Sequence, residues 1–358
     1  MILPYLVRLA ILSLACFFLL HMAFATGMNL LAPWVLGVAK RGKASSAPRL
    51  LLAARLFPSA AAVLVVAGVC VPSYLWLEPG ATVEKVGLGC LAVALLSVVS
   101  WGISAGRGMR AIVLSLQYER HCRRLGRETT LAGETTRVCV IDGATGLFAL
   151  AGILRPKLVV SREVLQNLSA GELDAALRHE RAHQTSRDNL KRLLLLLAPD
   201  IFPFGTWGKM SSCARVVNPR KFAPIANRRA GSQPVPLLAG LESLERGWAQ
   251  FTEWSADDRA VDGDSHRAVS LAGALVRVAR MGAATQASPL MTSLVADDRD
   301  LEARVDRLLG ATPGSDNSGQ CGSRLVAAII LVAGFFVVAL NGTPTLQAAH
   351  QVLEHLIR

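Results

Sequence analysis

Four apolar segments constrain this chain more than any other feature. They cover residues 2–25, 50–77, 86–105 and 325–340. A helix that crosses a bilayer needs about 20 apolar residues, and the third segment meets that length without a charged residue. The fourth is slightly short. The pattern predicts a mostly α-helical integral-membrane protein with about four transmembrane helices.

The first apolar segment has a second interpretation, because Ala-Phe-Ala at 23–25 resembles the cleavage site of a signal peptide. Arg8 is its first basic residue, so the basic N-terminal region of a signal peptide is weak. The apolar run also continues past the cleavage site towards Val38. We therefore favour a retained transmembrane helix.

Basic residues flank the apolar segments unevenly. Lysine and arginine are frequent after the first and third segments, whereas the loop at 78–85 has one lysine and two glutamates. Cytoplasmic loops carry such an excess. We therefore expect the N-terminus and the tail at 341–358 outside, and residues 107–324 in the cytoplasm.

The net charge of +12 is explained by contact with a lipid bilayer, because the basic residues lie beside apolar segments. Nucleic-acid binding is not expected, since no basic face with a recognisable motif accompanies the charge. The seven cysteines include no CxxC pair. That spacing argues against a cysteine-ligated zinc site and against a disulfide scaffold.

The sequence divides into three parts: a membrane region at 1–106, a folded domain at 107–323, and a last span with a short tail at 324–358. The domain opens with a basic amphipathic helix at 107–127, which we expect to lie near the membrane surface.

Two β-rich runs follow in the domain, at 137–141 and 147–160, and most of the remainder is typical of helices. A basic stretch at 205–235, rich in Pro, Gly, Ser and Asn, predicts a long loop. The domain is therefore predicted to be α+β, inserted between the third and fourth transmembrane helices.

One helix of this domain carries the motif HERAH at 179–183. Ser169 and Glu172 form the S-x-x-E signature of a capping box and predict that the helix starts there. His179 and His183 are four residues apart, so both imidazoles project from one face. That spacing suits two nitrogen ligands of one tetrahedral Zn²⁺.

Glu180 is turned about 100° from His179 around the helix axis. It cannot comfortably ligate the same ion, but it can reach a water at the metal and act as general base. HExxH on a helix is a signature of zinc metallopeptidases. The alternative is a surface helix with two solvated histidines. Such a helix does not require two histidines and a glutamate in the spacing of HExxH.

A zinc peptidase needs a third protein ligand, and Glu253 is the best candidate. It lies in a predicted helix at 237–261 and shares a helix face with Asp257. Asp257 would then accept a hydrogen bond from a ligand histidine and fix its tautomer. Asp258 points elsewhere, towards solvent or an arginine.

Asp188 follows the HERAH helix closely, and two roles remain open for it. It could accept a hydrogen bond from a ligand histidine. It could equally cap the next helix, predicted at 189–198.

Several motifs together resemble the membrane zinc peptidases of the BlaR/MecR antibiotic-sensor transducer type. The matching sequences are LSAGEL at 168–173, HERAH at 179–183, RDNL at 187–190, FALAG at 148–152, RPKLVV at 155–160, E-x-x-x-D at 253–257 and RVDRLL at 304–309. The resemblance covers about 130–310. It implies a gluzincin-like zinc-peptidase domain on the cytoplasmic side of a bacterial inner membrane.

The resemblance also implies that a strand at 147–152 offers its edge to an extended substrate, as in β-augmentation. A strand fully paired inside the domain is the alternative. One part of the family is missing here: only 341–358 follow the last apolar segment, with no S-x-x-K motif of a penicillin-binding domain. Covalent sensing of β-lactams is therefore not expected.

The leading functional hypothesis is regulated proteolysis of a cytoplasmic protein, such as a repressor, with a protein or peptide as substrate. A membrane quality-control peptidase is the alternative enzyme, and a catalytically silent signalling scaffold is the alternative from another class. The intact Glu180 argues against the scaffold. Whether the chain forms a homodimer stays open.

Overall fold

A computed structural model describes most of the chain in eight segments and two single positions: residues 4–77, 86–130, 137–142, 146–154, 156–200, 239–282, 290–295, 298–310, 347 and 351. The apolar segment predicted at 325–340 and the loop predicted at 205–235 lie outside the described residues.

Three long helical stretches account for the first three apolar segments, and each is long and apolar enough to cross a bilayer. They are α1 (Tyr5–Arg41), α2 (Ala47–Val65) with α3 (Val71–Leu77), and α4 (Leu88–Leu125). A π-helical segment, Val66–Cys70, joins α2 to α3. α1 is helical across the Ala-Phe-Ala sequence at 23–25.

Residues 127–310 form the region for which the sequence resemblance implies a peptidase domain, and we call it the peptidase region. Its described residues form six further helices and one five-stranded sheet. The helices are α5 (Arg162–Asn167), α6 (Ala170–Ser186), α7 (Asp188–Leu197), α8 (Ala239–Val261), α9 (Ser265–Arg280) and α10 (Asp298–Gly310). The strands are β1 (Arg127–Thr130), β2 (Arg137–Ile141), β3 (Phe148–Ala151), β4 (Lys157–Ser161) and β5 (Met291–Ser293). The strand order is β1-β2-β4-β3-β5, and only the β2–β4 pair is parallel.

Strand β3 lies inside this sheet. Ala149 is in register with Val159 of β4 on one side and with Ser293 of β5 on the other. Its backbone groups are therefore already paired, and the prediction that 147–152 offers a free edge is wrong. The partner β5 comes from a segment far along the chain, so no local pattern around β3 could reveal it.

Helix α4 also differs from the prediction of a span followed by a separate helix on the membrane surface. It runs unbroken from Leu88 to Leu125, a length of about 57 Å at 1.5 Å per residue. No proline interrupts it, and Gly108 lets α7 pack closely, since a Cβ there would lie 2.3 Å from Leu197 Cδ2. The basic half therefore continues the axis of the span.

Two of the five hydrophobic cores in the described residues involve the helices α6, α8 and α9. One packs α6 and α9 under the sheet, with Phe148, Ala176 and Leu271 fully buried. The other packs the N-terminal half of α8 against α1 and α2, through residues such as Leu51 and Leu244. Helix α8 contributes to both, because its Ala260 belongs to the first core. It thus connects the long apolar helices to the peptidase region.

Candidate metal centre

Helix α6 starts and stops on local signals. The Ser169 hydroxyl accepts a hydrogen bond from the Glu172 amide at 3.3 Å, and the Glu172 carboxylate accepts one from the Ser169 amide at 2.8 Å. This is the capping box that the sequence predicts. At the other end Arg187 has a left-handed φ of 55°, which ends α6 and starts α7 at once. The sharp reversal returns Asp188 to the side of His183.

Three side chains meet between α6 and α8. The Nε2 atoms of His179 and His183 lie 3.1 Å apart. One carboxylate oxygen of Glu253 lies 3.4 Å from the first and 3.6 Å from the second. His179 and His183 are fully buried, and Glu253 is 7 % exposed. The structure therefore brings together all three side chains predicted as metal ligands.

The donor triangle fits a tetrahedral zinc ion. With zinc–ligand bonds of about 2.0–2.1 Å, two ligand atoms at tetrahedral corners are about 3.3 Å apart. The three observed separations, 3.1, 3.4 and 3.6 Å, scatter around that value. Two imidazole nitrogens and a carboxylate oxygen are also a donor set that zinc accepts in catalytic sites.

Each histidine contacts a carboxylate through its Nδ1 atom. His179 Nδ1 lies 2.9 Å from Asp257 Oδ1, and His183 Nδ1 lies 2.8 Å from Asp188 Oδ2. These contacts leave both Nε2 atoms facing Glu253. The N-cap residue of α7 is Arg187, and the Asp188 carboxylate contacts His183 with one oxygen and Lys191 with the other.

Glu180 lies beside the donor triangle, almost completely buried. Within the described part of the chain, neither of its carboxylate oxygens has a hydrogen-bond partner. Burial raises the pKa of Glu180 to about 7, although the two neighbouring histidines oppose the shift. A buried carboxylate with free lone pairs is suited to accept a proton from a water molecule.

Electrostatics favour a cation between these groups. Burial opposes the charged form of His183, but the charge of Glu253 and the hydrogen bond to Asp188 outweigh it and raise its pKa to about 10. Burial likewise opposes ionisation of Asp257, but Arg304 and His179 outweigh it and lower its pKa to about 2. The negative charge of the surrounding carboxylates thus stabilises positive charge at the centre of the site.

Comparison with protein families gave one match. Residues 115–263 match peptidase family M48. The matched region holds His179, His183 and Glu253, and it extends from the second half of α4 to just beyond α8. Comparison with curated proteins and with solved structures gave no match.

Residues 115–263 are thus similar to a metallopeptidase family, and the same chain has three apolar helices of membrane-spanning length. The match supports the general part of the resemblance described above, a membrane metallopeptidase. It does not support the BlaR/MecR type. The elements α9, β5 and α10 lie beyond the matched region.

An arginine from beyond the M48 region completes the polar shell of the site. Arg304 of α10 is 3 % exposed and binds both carboxylate oxygens of Asp257, at 2.6 and 2.8 Å. Its Nη1 donates to the Leu294 carbonyl at 2.8 Å and lies 3.3 Å from Glu253 Oε2. No local pattern joins Arg304 to this site, because it lies 47 positions after Asp257.

Two residues inside the region that matches M48, Asn189 and Arg192, were likewise not predicted to belong to the site. The Asn189 amide donates to the carbonyls of Leu150 and Gly152, at 3.3 and 2.7 Å, and so ties α7 to the end of β3. Arg192 Nη2 lies 3.9 Å from the second oxygen of Glu253.

Asp258 points away from the site and pairs with Arg307 at 2.7 Å.

A cavity of about 370 Å³ opens beside His183. Leu150 and Ile153 give it aliphatic walls, and Lys157 and Arg187 add positive charge. A volume of this size can accept one large amino-acid side chain.

Proposed function

We propose that the chain is a zinc-dependent endopeptidase of the membrane, which hydrolyses a peptide bond of a protein on the cytoplasmic side. The observation that carries this proposal is the donor triangle of His179, His183 and Glu253, with the buried carboxylate of Glu180 beside it. The M48 match and the three apolar helices support it.

In this proposal His179, His183 and Glu253 hold Zn²⁺. When bound, the ion supplies Lewis acidity for the scissile carbonyl and a lowered pKa for the attacking water. Glu180 takes the proton from that water and returns it to the leaving amine. Asp257 and Asp188 keep the two imidazoles in the tautomer that points Nε2 at the metal.

The substrate enters as an extended peptide, and the cavity beside His183 receives one of its side chains. Its aliphatic walls favour an apolar residue there. The positive charge of Lys157 and Arg187 favours an acidic residue next to it.

The decisive experiment compares the wild type with Glu180→Gln and with the control Asp174→Asn, purified in detergent. Asp174 lies on the same helix but pairs with Arg178 at the surface. We expect about one zinc per chain in all three proteins, and loss of casein cleavage or self-cleavage in Glu180→Gln alone. A wild type without bound zinc would refute the proposal.

Three biological roles differ in what they predict for the cell. Regulated proteolysis would change the abundance of one cytoplasmic protein, such as a repressor, when the chain is deleted. Quality control would stabilise many membrane proteins at once, and a silent scaffold would leave Glu180→Gln without effect. We propose regulated proteolysis in a bacterial inner membrane, tested by comparing the proteomes of the deletion strain and the Glu180→Gln strain.

A further inference from the structure

Helix α8, which carries Glu253, runs closely along α1. A Cβ on Gly240 would lie 2.2 Å from the Asn29 carbonyl oxygen, and a Cβ on Gly247 would lie 2.6 Å from Leu36 Cδ2. The two glycines are seven residues apart and so face the same side of α8. Small residues at such positions let two helix backbones approach closely. The first half of α8 is therefore built against α1.

The start of α8 is capped by α1. The side-chain oxygen of Asn29 accepts hydrogen bonds from the amides of Gly240 and Leu241, at 2.9 and 3.1 Å. These amides belong to the first described turn of α8, which begins at Ala239, and the amides of a first turn lack partners within their own helix. The cap comes from a residue 211 positions away, so it also fixes α8 along the axis of α1.

Helix α2 holds α8 through a buried charge. Arg55 is 2 % exposed, and its Nε donates to Glu245 at 2.7 Å while its Nη2 donates to Asp200 at 2.5 Å. A buried guanidinium is stable only when acidic groups pair with it. Arg55 has two such partners, and Glu245 is the one that α8 supplies.

The same network extends to α4 and α7. Asp200 also binds Arg107 of α4, and Arg107 donates to the Ala198 carbonyl at the end of α7 at 3.0 Å. The first residue of α7 is Asp188, which contacts His183. The apolar helices thus hold both elements that flank the candidate metal centre.

The two halves of the metal centre have different supports. His179 and His183 lie on α6, which packs under the sheet with α9. Glu253 lies eight residues after Glu245 on α8, about 12 Å further along a helix that α1 and α2 hold. Helix α8 also contacts α6 directly, because Arg259 donates to the Ala182 carbonyl at 3.3 Å. The distance between Glu253 and the histidines therefore depends on that contact and on where the apolar helices place the first half of α8.

We propose that Asn29 and Arg55 are positioning residues for the metal centre: they fix the height and rotation of α8 at which Glu253 meets His179 and His183. This inference rests on the proposed function, because it assumes that the three residues bind zinc. It assigns a role to Arg55, an ionisable residue inside an apolar segment.

The test uses the full chain in detergent and measures metal binding. The variants are Asn29→Ala, Asn29→Asp and Arg55→Leu, with Arg49→Leu as control, because Arg49 is exposed on the same helix as Arg55. Zinc affinity is measured by competition with a chelator. The visible absorption of bound Co²⁺ reports the ligand geometry, and thermal unfolding without metal reports the fold.

We expect Asn29→Ala to bind zinc about fivefold more weakly, the factor that corresponds to a lost helix cap, and Co²⁺ absorption to change. Asn29→Asp keeps an oxygen acceptor and should restore both. Arg55→Leu should weaken zinc binding at least about tenfold, since it leaves Glu245 without its cation and removes the charge that joins α2 to α8. Arg49→Leu should match the wild type.

Unchanged zinc affinity and an unchanged Co²⁺ spectrum in Asn29→Ala and Arg55→Leu would overturn this inference alone. If Arg55→Leu does not fold, the Asn29→Ala and Asn29→Asp pair decides. A wild type that binds no zinc would refute the proposed function itself, so the two failures are distinguishable.

Discussion

Arg304 and Arg307 stand almost one turn apart on α10, and each pairs with an acidic residue of α8. Arg304 binds Asp257 in the interior, next to the candidate metal centre. Arg307 binds Asp258 at the surface. At the scale of single residues, burial decides how much each pair contributes to stability, because a buried charge that loses its partner cannot be solvated.

Arg304→Leu should therefore lower the free energy of unfolding by about 3–5 kcal/mol, because it leaves the buried Asp257 without its cation and with only the His179 imidazole as partner. Arg307→Leu should lower it by less than about 1 kcal/mol. Denaturant unfolding of both variants in detergent, with a chelator present, measures the difference. Equal effects would show that the Arg304 pair is not buried as described.

Asp188→Asn should weaken zinc binding about 10- to 100-fold, because an amide supports the His183 imidazole less well than a carboxylate does. Lys191→Met is the matched control, since Lys191 contacts the other oxygen of Asp188 at 2.8 Å and not the histidine. Zinc competition assays compare the two. A larger effect in the Lys191 variant would contradict the assigned role of Asp188.

The sequence predicted the candidate site where the signal is local. HExxH and E-x-x-x-D place side chains on one helix face by periodicity alone, and the structure brings His179, His183, Glu253 and Asp257 together. For Asp188 the sequence left two roles open, since a helix start and a contact with His183 use the same residue. Arg304 could not be predicted, because its contact with Asp257 depends on how α10 packs on α8.

At the scale of elements, two glycines with left-handed backbone show how turns fix the peptidase region. Gly146 precedes β3 with φ +59°, and a Cβ there would lie 2.3 Å from the Gly282 carbonyl oxygen. Gly263 ends the turn between α8 and α9 with φ +74°, and a Cβ there would meet open space. The two positions share a backbone requirement but differ in steric crowding.

Gly263→Ala should cost about 1–2 kcal/mol of stability, the penalty of a left-handed conformation for a residue with a Cβ. Gly146→Ala should cost more, because the backbone of Gly282 must also move. Thermal unfolding of the two variants tests this order. The reverse order would mean that packing around Gly146 is looser than the contacts indicate.

The elements that the sequence predicted well are those with local signals. The capping box at Ser169 and the strands β2 and β4 follow from residues close in the chain. The pairing of β5 with β3 depends on long-range packing, which a local pattern does not report. The division of α4 into two helices was wrong for a different reason. Helix α4 lacks a terminating signal between its apolar and basic halves, so propensity favours one helix over two.

For the whole molecule, α7 and α8 both connect the three apolar helices to the peptidase region. The sequence predicted the apolar helices from their composition, because length and hydropathy are properties of the segment itself. It could not predict that α1 and α2 reach α8, since Asn29 and Gly240 are 211 positions apart. The limits of the three parts, at 106 and 323, and the orientation in the membrane stay predictions.

Single cysteines test that orientation. In a chain whose seven native cysteines are replaced by serine, we expect Glu84→Cys to react with a membrane-impermeant maleimide in intact spheroplasts. Arg124→Cys, exposed on α4, should react only after lysis, because the positive-inside rule puts its side in the cytoplasm. Labelling of Arg124→Cys in intact cells would reverse the predicted topology.

Helix α4 continues without a break from its apolar half to Leu125, two residues before β1. A tilt of the apolar half therefore also moves the end of α4 that leads into the sheet. A tilt of about 10° at one end of a rod about 57 Å long displaces the other end by about 10 Å. Helices change their tilt when the thickness of the surrounding bilayer changes. A change in membrane thickness that tilts α4 would therefore displace the peptidase sheet by more than the length of a zinc–ligand bond, which is about 2 Å.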